Sequence, residues 1–259
     1  EALGRAQASI LIVSASDAEY QMRHELLTYV TEHRLRHAHM VGVTRTSLIT
    51  GFSVDPSRIV DATRAVRTRL RPSSKIHLRS TSGSDLSLTL NPDHRWVEHL
   101  GTIRPGRWEN LPSGALVTAA GEISGTFVAD GCLGGELGAA FGSLERSPVR
   151  FEIEAGICRS VKCIDLSLQR AVEEVFRKER EIERVGLVIL GTNIGIARAT
   201  GEIVCDQNMP GLHIGFGATY PETTGASWTT RGQLLATNVA GDVDLDGTPL
   251  IRSGRYIVS

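Results

Sequence analysis

The sequence has little of what would direct a protein to a membrane, to secretion or to nucleic acid. Its 259 residues include only 4 cysteines, without CxxC spacing, and its 28 lysines and arginines are balanced by 29 aspartates and glutamates. No apolar run reaches the roughly 20 residues of a membrane-spanning helix, and the first residues lack the basic-then-apolar order of a signal peptide. We therefore expect a cytoplasmic protein with reduced thiols, no membrane association and, at a net charge of −1, no nucleic-acid partner.

Short motifs of several enzyme classes are also missing. The chain has neither G-x-S-x-G nor HExxH, and the glycine cluster of residues 131–142 has neither GxGxxG spacing nor a GK[ST] ending. We interpret this cluster as turns and close backbone packing. His33, His37 and His39 are close enough in sequence for a metal site, but arginines lie among them, and we interpret the segment as a polar helix end and loop.

One charged feature stands out, a basic stretch from Arg64 to Arg79. Its arginines and lysine are spaced around a helix opposite an apolar stripe, which is typical of a solvated helix face. A local patch for an acidic peptide is the alternative that this stretch leaves open.

The residues that are present predict a mixed α/β fold. The first part of the chain has the order strand, helix, strand, helix, which favours a small parallel α/β unit. The predicted elements are residues 8–13, 22–33, 40–44 and 55–70. Asp55 followed by Pro56 is a favourable start for the second helix, and Pro72 ends it.

The pattern changes after residue 80, where short alternating strands and many glycines predict a β-rich second unit. No helical period is visible between Gly106 and Cys163, and one strong helix is predicted from about Asp165 to Arg184, followed by a strand at 185–190. Glycines and a proline cluster near residues 101–106, so we place the domains at 1–103 and 104–259.

Several segments between residues 80 and 259 occur in the order of a known family. They are Asn110-Leu-Pro-Ser-Gly-Ala-Leu-Val-Thr118, Gly125–Gly131, Arg184–Asn193, Met209–Gly217, Tyr220-Pro221 and Gly254–Tyr256. They resemble the C-terminal region of the M29 aminopeptidases and of the iron-dependent 2,5-dihydroxypyridine dioxygenases. The first 80 residues resemble only a shortened form of the N-terminal domain of that family. The resemblance implies an M29-like β-rich domain after the α/β unit.

The resemblance also implies where a metal would be held, and most of those positions are altered. The two ligand glutamates fall on Ala115 and Leu187, the ligand histidine on His213, the later His-x-Asp pair on Ser227 and Thr229, and the catalytic tyrosine on Tyr220. Alanine and leucine cannot bind a cation, and neutral hydroxyls bind one poorly. We therefore expect no metal, no cofactor and no catalysis. The alternative is a shifted site built from Glu109, Asp130, Asp206 and Glu222.

A metal-stripped, shortened peptidase-like scaffold suggests a binding protein. The chain is similar to the degenerate relatives that hold a ribosomally made precursor peptide in crocagin-type natural-product biosynthesis. The resemblance therefore implies a non-catalytic accessory protein whose partners are a precursor or leader peptide, the modifying enzymes of the same pathway, and a second copy in a homodimer. Candidate peptide contacts are Trp108, Asn110, Asn193, His213, Tyr220 and Trp228.

Two other functions stay open. One is an active aminopeptidase or ring-cleaving dioxygenase with displaced ligands, and the other is a structural subunit of an enzyme complex. The sequence does not select among the ancestral cleft, a sheet edge and the dimer interface as the place where a peptide binds.

Overall fold

In the computed structural model, which describes residues 3–14 and 19–257, the chain has the mixed α/β fold that the sequence predicts. A 3₁₀ turn at Leu3–Arg5 precedes the helices α1 (Tyr20–Glu32), α2 (Arg45–Gly51), α3 (Pro56–Arg69), α4 (Gly135–Phe141), α5 (Leu166–Lys178), α6 (Ile203–Asp206) and α7 (Pro221–Thr224). The strands are β1 (Ala8–Val13), β2 (Arg36–Val41), β3 (Lys75–Arg79), β4 (Asp85–Thr89), β5 (Val97–His99), β6 (Arg107–Asn110), β7 (Ala115–Ala119), β8 (Glu122–Ala129), β9 (Val149–Glu154), β10 (Ile157–Lys162), β11 (Val185–Gly191), β12 (Gly211–Gly217), β13 (Gln233–Ala236), β14 (Asp242–Leu245), β15 (Thr248–Arg252) and β16 (Arg255–Tyr256).

The N-terminal part forms a three-stranded parallel sheet in the order β1-β2-β6. The strand predicted at residues 8–13 is observed as β1, because its apolar, β-branched residues suit a pleated surface. Its prediction as a buried strand is wrong, since β1 is an edge strand with Ile10 and Ile12 exposed. Residues 40–44 were predicted as the second strand, but β2 spans Arg36–Val41. The interpretation of His37 and His39 as loop residues is therefore wrong, since both lie buried in β2.

The two histidines are tolerated in β2 because they hydrogen-bond within the sheet. His37 Nδ1 lies 2.8 Å from Ser9 Oγ of β1, and His37 Nε2 lies 3.3 Å from His39 Nδ1. Hydrogen-bonded polar groups can be buried at a small cost, so a segment that looks polar in sequence still forms an inner strand.

The remaining strands form two antiparallel sheets. The larger sheet has the order β10-β9-β8-β4-β3-β14-β15-β16, and the smaller has the order β13-β12-β11-β7-β5. Aromatic rings connect them: Phe151 of β9 lies 4.9 Å from Phe216 of β12, and Phe176 of α5 lies 5.1 Å from the same ring, between centroids. The main hydrophobic core therefore lies between the two antiparallel sheets and α5.

The sheets interleave the two halves of the sequence. β3 and β4 join the large sheet and β5 joins the small one, whereas β6, which follows them, pairs with β2 of the N-terminal sheet. The domains proposed at 1–103 and 104–259 stay a prediction.

Helix starts agree with the sequence better than helix ends do. Asp55 accepts a hydrogen bond from Ser57 N at 2.8 Å at the start of α3, and Asp165 caps α5 in the same way. α5 ends at Lys178, six residues before the predicted end at Arg184. The glycine cluster, interpreted as turns only, also contains α4.

Two further expectations concern the cap of the first helix and membrane-spanning helices. Ser16, which with Glu19 predicts the cap of the first helix, lies outside the described residues. Within residues 3–14 and 19–257, no helix is both long and apolar enough to cross a bilayer.

Candidate functional site

The expected metal site lies on one face of the five-stranded sheet. Ile189 of β11 lies opposite Val117 of β7 on one side and His213 of β12 on the other. Because alternate residues share a face, Ala115, Leu187 and His213 are on this same face. Ala115 and Leu187 pack with Ile189 in a small hydrophobic cluster, and both are 3% exposed. The two positions that the resemblance assigns to ligand glutamates are therefore packed apolar groups in this structure.

The retained histidine has no free nitrogen. His213 is fully buried, its Nε2 lies 2.9 Å from the carbonyl oxygen of Met209, and its Nδ1 accepts a hydrogen bond from Asn238 N at 3.2 Å. Because Nδ1 accepts, the proton is on Nε2, which donates to Met209. Burial lowers the pKa of His213 to about 4, so the ring is neutral.

The positions of the later ligand pair lie in a loop next to β12. Ser227 and Thr229 are exposed, and Thr229 Oγ1 accepts a hydrogen bond from Thr219 N at 3.1 Å. Between them, the ring of Trp228 lies 3.9 Å from the guanidinium of Arg184. A stacked arginine and hydroxyl groups supply no anionic ligand.

The carboxylates that could form a shifted site have other roles. Asp206 is fully buried and accepts hydrogen bonds from Thr200 N and Gly201 N, at 2.7 and 2.9 Å. Asp130 accepts one from Val239 N at 2.6 Å. Across the described part of the chain, no three His, Cys, Asp or Glu side chains are grouped closely enough to hold a metal ion. These residues do not fit the dinuclear or mononuclear centre that the resemblance implies.

The structure does not bring the six candidate peptide contacts together. Trp108 and Asn110 are on β6, where the Trp108 ring lies 5.8 Å from that of His39. Asn193 is fully buried and donates to the carbonyl oxygens of Gly51 and Ser113, at 2.9 and 2.8 Å.

The two remaining candidates, Tyr220 and Trp228, are not buried and lie on neighbouring loops. Tyr220 is exposed, and its hydroxyl lies 3.3 Å from Gln233 Oε1. The Thr219 hydroxyl, next to Tyr220, donates to the carbonyl of Trp228. A peptide role for each of the six residues stays a prediction, but His213 and Asn193 are not accessible to one in this structure.

A cleft of about 510 Å³ lies elsewhere, where two edge strands approach each other. β5 is the last strand of the five-stranded sheet, and β6 is the last strand of the three-stranded sheet. The cleft is lined by Arg64, Arg95, Trp96, Val97, Glu98, Leu100, Thr102, Arg104, Arg107, Glu109 and Thr223. None of the six predicted contacts is in this set. The sequence signal that could have indicated this cleft is the pair Arg104 and Arg107, which lie within and directly after the segment interpreted as a domain boundary.

The cleft is rich in positive charge. Arg95 is held in place by the carbonyl oxygens of Thr223 and Glu222, at 3.0 and 2.9 Å from Nε and Nη2. Carbonyl groups fix a guanidinium without neutralising it. Among the described residues, no carboxylate lies within ion-pair distance of Arg64 or Arg104.

One carboxylate of the cleft is buried. Glu109 is 4% exposed, with Arg107 Nε 3.8 Å from its Oε1 and His99 Nδ1 3.5 Å from its Oε2. Oε2 accepts no hydrogen bond within the described structure. The His99 ring therefore faces this buried oxygen within ion-pair distance but does not form a hydrogen bond with it.

Comparison with known proteins gives matches in sequence and in fold. The family model described as 2,5-dihydroxypyridine 5,6-dioxygenase matches residues 53–174. The 2,5-dihydroxypyridine 5,6-dioxygenase of Pseudomonas putida KT2440 is 33% identical over 99 residues, which cover 38% of this chain and 27% of that protein. The matched segment thus spans about a quarter of this relative.

Two solved structures have a similar fold. The 2,5-dihydroxypyridine dioxygenase from Pseudomonas putida KT2440 superposes with a TM-score of 0.66 at 19% identity, covering 100% of this chain and 74% of that one. Wild-type AmpT from Thermus thermophilus, an M29 aminopeptidase, superposes with a TM-score of 0.68 at 18% identity, covering 99% and 78%.

Proposed function

The resemblance of this chain to the M29 aminopeptidases and the 2,5-dihydroxypyridine dioxygenases is confirmed, and from it we propose that the protein is a non-catalytic peptide-binding accessory protein. In this proposal it holds a ribosomally made precursor or leader peptide while partner enzymes of a natural-product pathway modify that peptide. It acts as a homodimer in the cytoplasm, without a metal or another cofactor. Light scattering that gives the mass of a monomer would contradict the dimer.

The observation that carries the proposal is the apolar cluster at the former ligand positions. Leu187 and Ala115 pack against Ile189 where the related enzymes need carboxylates, and His213 uses both nitrogens internally. Restoring a metal site would require charged ligands inside this packed cluster, at a large cost in desolvation. In this proposal, the fold keeps the framework of a peptidase-like protein and uses it for binding.

Open strand edges support a peptide as the ligand. Among the described strands, β5 is paired only with β7, and β6 only with β2, so each has a free edge there. An extended peptide can add main-chain hydrogen bonds to such an edge, while pockets beside it select the side chains.

Calorimetric titration tests this function directly. The full protein is titrated with synthetic precursor peptides encoded near its gene, after metal analysis of the purified protein. We expect saturable binding at equimolar stoichiometry and no stoichiometric iron or zinc. Absence of binding by every such peptide would refute the function.

A variant at the retained histidine separates the binding protein from an enzyme. His213→Ala leaves the Met209 carbonyl and Asn238 N–H without partners, so we expect a loss of a few kcal/mol in unfolding free energy, about the cost of buried unsatisfied groups and a cavity. Metal content should not change. A metal that is stoichiometric in the wild type and lost in the variant would favour catalysis.

A second candidate is a ring-cleaving dioxygenase, favoured by the family model that matches residues 53–174. An electrode assay of oxygen consumption, with ferrous iron and 2,5-dihydroxypyridine, tests it. We expect no consumption above the rate of free iron, since a mononuclear iron site needs about two histidines and a carboxylate on one face.

A further inference from the structure

We propose that the cleft between β5 and β6 binds an acidic segment of an extended peptide, whose side-chain carboxylates contact Arg64 and Arg104. This inference rests on the proposed function and adds to it the chemical class of the peptide and the place where it binds. The lining includes neither the former metal-ligand positions nor the aromatic residues selected from the sequence.

The cleft lining has an excess of positive charge. The lining contains four arginines and two glutamates, whereas the whole chain has 28 basic and 29 acidic residues. A positive excess in a concave site of a nearly neutral protein is a local feature, and clefts with one sign of charge attract ligands of the opposite sign. Arg64 and Arg104 are exposed, and none of the ion pairs within the described residues involves them. Both guanidinium groups are thus available for carboxylates of a ligand.

One positive charge of the cleft, that of Arg95, is fixed in place. Arg95 donates to the carbonyl oxygens of Glu222 and Thr223, and its backbone N donates to Thr224 O at 2.7 Å. This arginine therefore stays at the cleft wall without a carboxylate partner, and less conformational entropy is lost when an anion binds.

The glutamates of the lining favour a peptide over a small anion. Glu98 and Glu109 line the same cleft as the arginines. A peptide backbone supplies N–H donors in addition to acidic side chains, whereas acetate at neutral pH has no hydrogen-bond donor. A cleft that contains both arginines and glutamates thus suits a chain that carries both acceptors and donors.

The shape of the cleft suits an extended peptide segment. β5 and β6 both present a free edge near the cleft, and its volume of about 510 Å³ is within the usual range of about 300–1,000 Å³ for ligand sites. An extended segment along β5 would place alternate side chains on the same side, so that carboxylates two residues apart face the arginines together.

Fluorescence anisotropy tests the proposal with defined peptides. The probe is a rhodamine-labelled peptide that alternates glutamate with threonine, and its counterpart has glutamine in place of every glutamate. Proteins are the wild type, the double variant Arg64→Gln/Arg104→Gln and the control Arg146→Gln, an exposed arginine outside the cleft. Because the three arginines form no ion pair within the described structure, circular dichroism and the thermal midpoint should be unchanged.

We expect the glutamate peptide to bind the wild type and to bind the double variant at least roughly tenfold more weakly, as charge-assisted hydrogen bonds are lost. The control should differ by less than about twofold, and the glutamine peptide should bind the wild type roughly tenfold more weakly. Added sodium chloride should weaken binding of the glutamate peptide. Equal binding of the two peptides, or equal binding by the double variant and the control, would overturn the proposal.

Competition separates a peptide site from an anion site. At constant ionic strength, sodium phosphate or acetate should displace the labelled peptide only at concentrations far above those of unlabelled glutamate peptide. Displacement by either salt at similar concentrations would overturn the assignment to a peptide.

Precursor peptides from the calorimetric experiment distinguish this inference from the function on which it rests. A precursor that binds the double variant as tightly as the wild type would refute the cleft and leave the function intact. If no precursor binds while the glutamate peptide binds through Arg64 and Arg104, the function fails and the acidic-peptide cleft is retained.

Discussion

Individual polar residues in this protein are buried mainly where the protein itself supplies their partners. His213 and Asn193 are fully buried, and each bonds to backbone groups of distant segments. Glu109 differs, because one of its oxygens accepts no hydrogen bond. At the scale of residues, His213 is therefore held by the fold, and Glu109 is a buried side chain with incomplete hydrogen bonding.

Acid should destabilise the protein through its buried histidines. Burial lowers the pKa of His213 and, together with neighbouring His37 and Arg23, that of His39 to about 4, against 6.5 when unfolded. A lowered pKa means that the unfolded chain binds protons first, so stability is full above about pH 6.5 and decreases as the pH falls toward 4. For each such histidine we expect a loss of about 2 kcal/mol between pH 7 and pH 5, measured by urea unfolding.

The variant His213→Gln provides the control for this pH dependence. Glutamine does not titrate, so the difference in unfolding free energy between pH 7 and pH 5 should be smaller than in the wild type. An unchanged difference would show that His213 does not titrate as described.

Restoring a family carboxylate should not restore a metal site. Leu187→Glu places a carboxylate in the cluster with Ala115 and Ile189, and we expect a loss of about 3 kcal/mol or more in unfolding free energy at pH 7. The loss should be smaller at pH 5, because burial favours the protonated acid. Leu187→Met, which keeps the volume, should cost less than about 1.5 kcal/mol. Stoichiometric zinc or iron in Leu187→Glu, measured by plasma mass spectrometry, would contradict this account.

At the scale of elements, local chemistry fixes where a helix starts, and packing fixes how far it extends. α5 starts after Asp165, whose carboxylate accepts hydrogen bonds from Ser167 N and Leu168 N at 2.8 and 3.2 Å. It ends at Lys178, although a helical pattern continues to Arg184. Beyond that point, Glu179 instead accepts hydrogen bonds from Arg231 N and Gly232 N, both at 2.7 Å. A tertiary contact thus replaces the last turn of the predicted helix.

Removal of the α5 cap should lower stability measurably. Asp165→Ala leaves two backbone N–H groups of the first turn without their acceptor, so we expect a loss of about 1 kcal/mol in unfolding free energy. Glu174→Ala, an exposed position within the same helix, is the control and should change the value by less than about 0.5 kcal/mol. Urea denaturation at pH 7 measures both, and equal effects would argue against capping by Asp165.

At the scale of the whole molecule, three sheets are formed by strands that alternate between them along the chain. The segment from β4 to β7 contributes one strand to each of the three sheets before it returns to the small one. β6 therefore brings the edge of the N-terminal sheet next to β5 and creates the cleft. A site of this kind exists only in the assembled molecule.

The reactivity of the four cysteine thiols tests how this fold is packed. All four cysteines are free, and Cys132, Cys158 and Cys205 are buried. Burial raises the pKa of Cys158 and Cys205 to about 12, and it also raises the pKa of Cys132. Cys163 is partly exposed, and burial raises its pKa as well. With Ellman's reagent at pH 8, we expect at most one thiol to react slowly in the native protein and all four in guanidinium chloride.

The variant Cys163→Ser is the control for the thiol count. It should abolish the native reaction and leave three thiols in the denatured protein. A rapid reaction of two or more native thiols would contradict the burial described above.

The sequence predicted much of the fold because its signals are local. The β1 run, the Asp55 and Asp165 caps and the alternation in β4 depend on neighbouring residues only, and all are observed. β2 was misplaced because His37 and His39 look polar until their partner Ser9 is brought beside them. α4 was missed because its glycines have no helical apolar period.

The sequence by itself determined that the positions which the resemblance assigns to ligands include alanine and leucine, and these residues bind no cation in any fold. It also determined the fold class, because hydrophobic period and capping are properties of short segments. Only the tertiary structure decided that His213 has both nitrogens occupied and that Arg64, Arg104 and Glu109 line one cleft. The physical reason is distance along the chain: these contacts join segments whose proximity depends on how the strands are ordered in the sheets.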